Sequence, residues 1–108
     1  FVMGFQTSSF PTPANLLSLI NELPANSLFT VIGVGHFQIP MNVMAILLGG
    51  HVRVGMEDNL YYSKGRKLKN NAEAVERIVR LAREMNREVA TPKQARQMLG
   101  LSSKPSQY

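Results

Sequence analysis

Leu28-Phe29-Thr30-Val31-Ile32-Gly33-Val34-Gly35 begins a run that passes through an apolar segment, Pro40 to Leu48, and ends on Gly49-Gly50-His51-Val52-Arg53-Val54-Gly55. Leu28 to Ile32 is rich in β-branched and aromatic residues, as a strand is, and the glycines of Gly33-Val34-Gly35 close it. The segment from Pro40 to Leu48 is apolar nearly all round, the signature of a helix covered on every side, and Gly49-Gly50 stops it. His51 to Val54 then reads as another strand, closed by Gly55. A strand, a helix and a strand joined by such short connections form a parallel βαβ unit with a right-handed crossover.

The same order extends in both directions. Phe1-Val2-Met3 reads as a strand stopping at Gly4. Thr12-Pro13 reads as the N-cap and first residue of a helix carrying Leu16, Leu19, Ile20 and Leu23, which ends at Pro24. Beyond a polar loop from Glu57 to Lys69, Asn70 is expected to cap a helix, with Glu73 as reciprocal partner and an apolar stripe of Ala72, Val75, Ile78, Val79, Ala82 and Met85. Glu73–Arg77 and Glu76–Arg80 are spaced as i,i+4 ion pairs on its outer face. Thr91-Pro92-Lys93-Gln94 caps a last short helix ending at Gly100, and residues 102–108 read as a flexible tail. The fold expected is α/β: the C-terminal three βα units of an eight-stranded (β/α) barrel, with residues 1–101 forming part of that one domain. A whole barrel needs about 250 residues. A small open three-stranded sheet is the competing arrangement, and it would leave two bare parallel edges.

Charge is distributed unevenly over the 108 residues, whose formal net charge is +5. Between Phe1 and Val52 the only formally charged side chain is Glu22, while every Lys and Arg lies between Arg53 and Lys104. So uncharged a first half makes a poor surface for a free-standing domain and suits elements covered on both sides. The basic second half raises nucleic acid as a partner, but arginines spaced opposite glutamates argue for a solvated face, so no nucleic acid is expected. Cysteine is absent, which excludes disulfides and thiolate chemistry and points to the cytoplasm. No apolar run of ~18 residues occurs and Phe1 follows no basic segment, so neither a membrane span nor a secretory leader is expected.

Reactive groups in β/α barrels lie at the C-terminal ends of strands. The third strand brings Arg53, Glu57, Asp58 and Asn59 there. Alternation puts Val52 and Val54 on one face and Arg53 on the other, at the barrel mouth with Glu57. Arg53 and Asp58 read either as a structural ion pair or as a catalytic pair beside a carboxylate available to a metal. Glu57 alone cannot hold zinc, which takes three protein ligands in catalytic sites. His51 reads as a core or lower-barrel histidine, and His36 as a helix-start residue. Gly33-Val34-Gly35 is a weak phosphate-cradle signal, lacking the third glycine of a dinucleotide fingerprint. The basic loop Lys64, Arg66, Lys67 and Lys69 reads as solvated, with phosphate contact as the alternative.

The stretch Gly49-Gly50-His51-Val52-Arg53-Val54-Gly55-Met56-Glu57-Asp58-Asn59 resembles the signature near the C-terminus of the β-keto acid cleavage enzymes. The likeness continues in Gln38-Ile39-Pro40-Met41, in Asn70-Asn71-Ala72-Glu73, and in Val89-Ala90-Thr91-Pro92 with Leu99-Gly100-Leu101. It implies a zinc-dependent, homo-oligomeric β/α barrel that moves an acetyl unit between a β-keto acid and a coenzyme A thioester, with acetyl-CoA as co-substrate and acetoacetate released. It also implies that Glu57 is a zinc ligand, and that Arg53 and Asp58 assist proton removal and enolate handling. Zinc would polarise the β-keto carbonyl as a Lewis acid. The family's remaining zinc ligands stand on a His-x-His pair, and this sequence has no His-x-His. Where the family often has arginine, this chain has His36. The 108 residues alone are therefore expected to be an inactive C-terminal part of such an enzyme. A non-catalytic partial-barrel interaction module is the alternative.

Overall fold

The computed structural model describes residues 1–102 and 104. Most of the tail expected at 102–108 thus lies outside the described residues. Strand β1 (Val2–Met3) leads to helix α1 (Pro13–Asn21), strand β2 (Thr30–Gly33), a 3-10 turn (Gly35–Phe37) and helix α2 (Gln38–Leu47). Strand β3 (His51–Val52) follows, then strands β4 (Tyr61–Ser63) and β5 (Arg66–Lys67), and helices α3 (Asn71–Glu84) and α4 (Pro92–Met98). The first three strands form a parallel sheet in the order β1-β2-β3. The alternation of strands and helices therefore gives the expected parallel βα units.

The strands are shorter than the sequence suggests, because each has a parallel neighbour for only a few residues. Pairing of Val2 with Ile32 and of Val31 with Val52 fixes the register. It aligns Met3, Val31 and Val52 on one face, where Met3 and Val31 are buried with Leu16 of α1 and Met41 and Ala45 of α2. Both crossover helices therefore cover the same face. The opposite face carries Val2, Thr30, Ile32, His51 and Arg53; Val2 and Thr30 are exposed there, while Ile32 is buried. Bare apolar side chains also stand elsewhere: Phe10 is 68% and Leu47 65% exposed.

The three N-caps form as read. Thr12 accepts from the Asn15 amide, Asn70 from the Glu73 amide, and Thr91 forms a full capping box with Gln94. Three expectations are corrected. The polar loop after β3 contains the antiparallel hairpin β4–β5, because Lys64-Gly65 makes the turn and Gly65 adopts a positive φ of 79°. Glu73 does not close a box on Asn70, since its carboxylate accepts from the Lys69 amide at 2.8 Å and pairs with Arg66. The ion pairs Glu73–Arg77 and Glu76–Arg80 do not form, because Arg77 and Arg80 turn to Tyr62. In α3 the buried residues are Ala74 and Ile78, while Val75, inside the expected stripe, is half-exposed.

Candidate active site at the end of the third strand

Strand β3 continues its backbone pairing past Val52, with the Arg53 amide donating to the Val31 carbonyl at 3.0 Å. The chain then turns away through residues 53–59, held by side-chain amides from α2 and its own loop. Asn42 donates to the Arg53 carbonyl at 3.2 Å and Gln38 to the Gly55 carbonyl at 3.3 Å. Asn59 is tied to Tyr61 in both directions, its amide donating to the carbonyl at 2.7 Å and its oxygen accepting from the amide at 3.0 Å. All three amides are buried. Buried polar groups persist where they are hydrogen-bonded, and here they supply the backbone partners a strand would have given. The Gly35 amide, at the end of β2, donates to the Asp58 carbonyl at 2.7 Å, joining the two strand ends.

This frame brings the expected residues together. Arg53 Nη2 donates to Glu57 Oε1 at 2.9 Å and to Asp58 Oδ2 at 3.3 Å. One guanidinium thus bridges two carboxylates. The Arg53 side chain is 55% exposed and that of Glu57 56%, while Asp58 is only 21% exposed. The Glu57 amide and the Arg53 guanidinium hold the Glu57 carboxyl below the usual carboxylate range, and the bond to Glu57 raises Arg53. Gly55 is needed for this geometry. A Cβ there would lie 2.1 Å from Glu57 Oε2, so the carboxylate folds over the glycine.

The other candidates stand apart. His51 is half-buried at the start of β3, opposite Thr30. His36 is exposed and lies against Phe37, the two rings tilted by 39° with centroids 3.8 Å apart. Gly33-Val34-Gly35 is not a phosphate cradle, because the amides of Val34, Gly35 and Phe37 already donate to Met3, Asp58 and Val34. A Cβ on Gly33 would meet the Phe37 carbonyl at 2.3 Å, so that glycine serves the tight entry into α2. Sequence reasoning missed Asn42 and Tyr62. An amide in the otherwise apolar run from Pro40 to Leu48 was the available signal for Asn42.

Among the described residues, no group of three His, Cys, Asp or Glu side chains lies together as a metal site. Glu57 is one suitable oxygen donor, and among the described residues no set of three ligands, as a catalytic zinc takes, forms around it. No helix among the described residues is long and apolar enough to cross a membrane.

The family model of beta-keto acid cleavage enzymes matches residues 1–101. The 3-keto-5-aminohexanoate cleavage enzyme of Acetoanaerobium sticklandii is 53% identical over 102 residues, covering 94% of this chain and 37% of its own length. That of Fusobacterium nucleatum is 50% identical, over 94% of this chain and 36% of its length. The 3-oxoadipate:acetyl-CoA acetyltransferase of Cupriavidus necator is 36% identical over 95% of this chain and 37% of its length. The chain thus spans little more than a third of these relatives. With the family model matching nearly end to end, the chain belongs to the β-keto acid cleavage enzyme family.

Proposed function

We propose that this chain is the C-terminal part of an enzyme that converts a β-keto acid and acetyl-CoA to acetoacetate and a new acyl-CoA. The observation that carries this reading is Arg53 bridging Glu57 and Asp58 at the C-terminal end of a parallel strand. The relatives' names supply the substrate classes: cleavage of 3-keto-5-aminohexanoate, and acetyl transfer between 3-oxoadipate and acetyl-CoA.

In this reading Asp58 is the base. It is the less exposed of the two carboxylates and is held by the guanidinium, and a carboxylate so positioned can take the proton from the carbon between the keto and carboxylate groups. Arg53 then stabilises the enolate charge as it develops. The carbon attacks the acetyl thioester and expels the CoA thiolate. The thiolate adds to the original keto carbonyl, and breaking the bond to the α-carbon gives the new acyl-CoA. Acetoacetate leaves after its α-carbon takes the proton back from Asp58.

Zinc belongs to this proposal through Glu57, with its other ligands contributed from outside these residues. The sheet face where Val2, Thr30 and Arg53 are exposed fits the interior of a β/α barrel closed by further strands. Homo-oligomerisation and a cytoplasmic location follow as proposals from the same resemblance. The residues shown here form part of the site, so no turnover is expected from them alone.

The test is to incubate the full-length polypeptide, and separately these 108 residues, with 3-keto-5-aminohexanoate or 3-oxoadipate and acetyl-CoA. Acetoacetate and about one zinc per full-length chain are expected, and neither from the shorter piece. A full-length protein that binds no zinc and forms no acetoacetate from any β-keto acid tried would favour the interaction module, which the exposed apolar side chains also suit.

A further inference from the structure

Glutamine is mostly a surface residue, yet Gln38, the first residue of α2, is only 2% exposed. A buried primary amide persists when both of its ends find partners. Here Nε2 donates to the Gly55 carbonyl at 3.3 Å, and Oε1 accepts from the Asn59 side-chain amide at 3.5 Å. Position 38 must therefore donate at one atom and accept at the other. Neither a hydrocarbon nor an ionised carboxylate of the same length does both.

The carbonyl that Gln38 meets is the pivot of the loop after β3. It also accepts from the Asp58 and Asn59 amides, each at 3.2 Å, so three N–H groups converge on one oxygen. These bonds fold residues 55–59 into the turn that presents Glu57 and Asp58 to Arg53. Two of the donors belong to the loop and move with it; Gln38 is the one anchored on a helix. Other ties agree in direction: the Gly35 amide donates to the Asp58 carbonyl at 2.7 Å, and Asn71 Oδ1 accepts from the Met56 amide at 2.8 Å. Gly33 leaves room for the anchor itself, since a Cβ there would lie 2.8 Å from Gln38 Cα.

We propose that Gln38 is a positioning residue for the cleavage reaction: by holding the Gly55 carbonyl it keeps the Asp58 carboxylate against Arg53. The inference rests on the cleavage reading for the role of Asp58. Gln38 bonds to the Gly55 backbone and to Asn59, so its effect reaches Asp58 through the chain. A misplacement of about 1 Å at a reacting group can lower a rate by roughly 10²-fold, so a single backbone anchor is enough to govern kcat.

Two variants of the full-length polypeptide separate positioning from packing. Gln38→Met keeps the length and removes both bonds, while Gln38→Glu keeps the shape but turns an oxygen toward the Gly55 carbonyl. Arg87→Met is the control, because Arg87 Nη1 donates to the Ile46 carbonyl at 2.7 Å, at the other end of α2. In both Gln38 variants kcat for acetoacetate formation should fall roughly 10–100-fold, with KM for the β-keto acid within about threefold of the parent's. Arg87→Met should keep the parental kcat. Native-state hydrogen exchange reads the loop without turnover. The Asp58 and Asn59 amides should exchange roughly tenfold faster in Gln38→Met, while the Leu48 amide, bonded to Met44 in α2, stays unchanged. Parental kcat in the folded Gln38 variants, an equal loss in Arg87→Met, or loss of the fold in both Gln38 variants overturns the proposal. Faster exchange confined to the loop, in a protein whose parent forms no acetoacetate, sinks the cleavage reading alone. Acetoacetate formed at the parental rate by both Gln38 variants sinks this one alone.

Discussion

Two regions of the chain place arginine four residues from glutamate and behave differently in the fold. At the end of β3, Arg53 precedes Glu57 by four residues and Asp58 by five, and both pairs form. On α3, Glu73 precedes Arg77 and Glu76 precedes Arg80 by four, and neither pair forms among the described residues. The difference is what else lies within reach. The loop after β3 is pinned by Asn42, Gln38 and Gly35, so Arg53 has two carboxylates in front of it. On α3 the hairpin offers the Tyr62 ring, hydroxyl and carbonyl, and a cation on an aromatic face gains about as much as an exposed ion pair. Spacing permits a pair; the competing partners decide it.

The largest effects should come from breaking the first region. In the full-length enzyme, Arg53→Met or Asp58→Asn should lower kcat by on the order of 10²–10⁴-fold. Thermal melting should stay nearly unchanged, because Arg53 is half-exposed and its pairs contribute little to folding. Steady-state kinetics beside a melting curve separates the two. A variant that loses activity only by unfolding would show the arginine to be structural.

Support for the loop should be worth less. Asn42→Leu removes the donor to the Arg53 carbonyl and should cost roughly 1 kcal/mol of stability, measured by denaturant unfolding. The cost is held down because Asn42 Oδ1 is itself buried without a partner among the described residues. In the second region, Tyr62→Ala should cost roughly 1–2 kcal/mol by losing ring packing and stacked cations. The same substitution sharpens the comparison. With the ring gone, Arg77 should swing to a glutamate, and a crystal structure of the variant would show whether it does.

The smallest effect concerns pH. The Glu57 carboxyl is held below its ordinary value of 4.5 in the folded chain. A depressed carboxyl adds stability that is present above its unfolded pKa and is lost as pH falls through the folded one. NMR titration should therefore find Glu57 titrating below its ordinary value. Arg53→Met should move it only part of the way back, since the Glu57 amide, the larger cause, remains. A Glu57 carboxyl that titrates in the ordinary range in the parent chain would remove the bridge from the account.

Much of the fold was legible because its signals are local. Thr12, Asn70 and Thr91 cap helices through bonds within three residues, and short glycine-closed strands between them leave little choice but parallel units. The hairpin was not legible as such. Tyr61-Tyr62-Ser63 and Arg66-Lys67 are too short and too polar to read as strands, and Lys64-Gly65 alone carries the turn. In the site, Arg53, Glu57 and Asp58 could be grouped because alternation along one strand sets their side. Asn42 and Tyr62 act across 11 and 15 residues, on Arg53 and Arg77 respectively, and no local pattern announces such contacts.

The central claim is that Asp58, held by Arg53, takes the α-proton of a β-keto acid. The direct measurement is proton NMR of the substrate's α-hydrogens in deuterium oxide with the full-length enzyme and no acetyl-CoA. The account predicts exchange well above the buffer background for the parent protein, and background exchange for Asp58→Asn and Arg53→Met. Exchange that survives Asp58→Asn undiminished would contradict it.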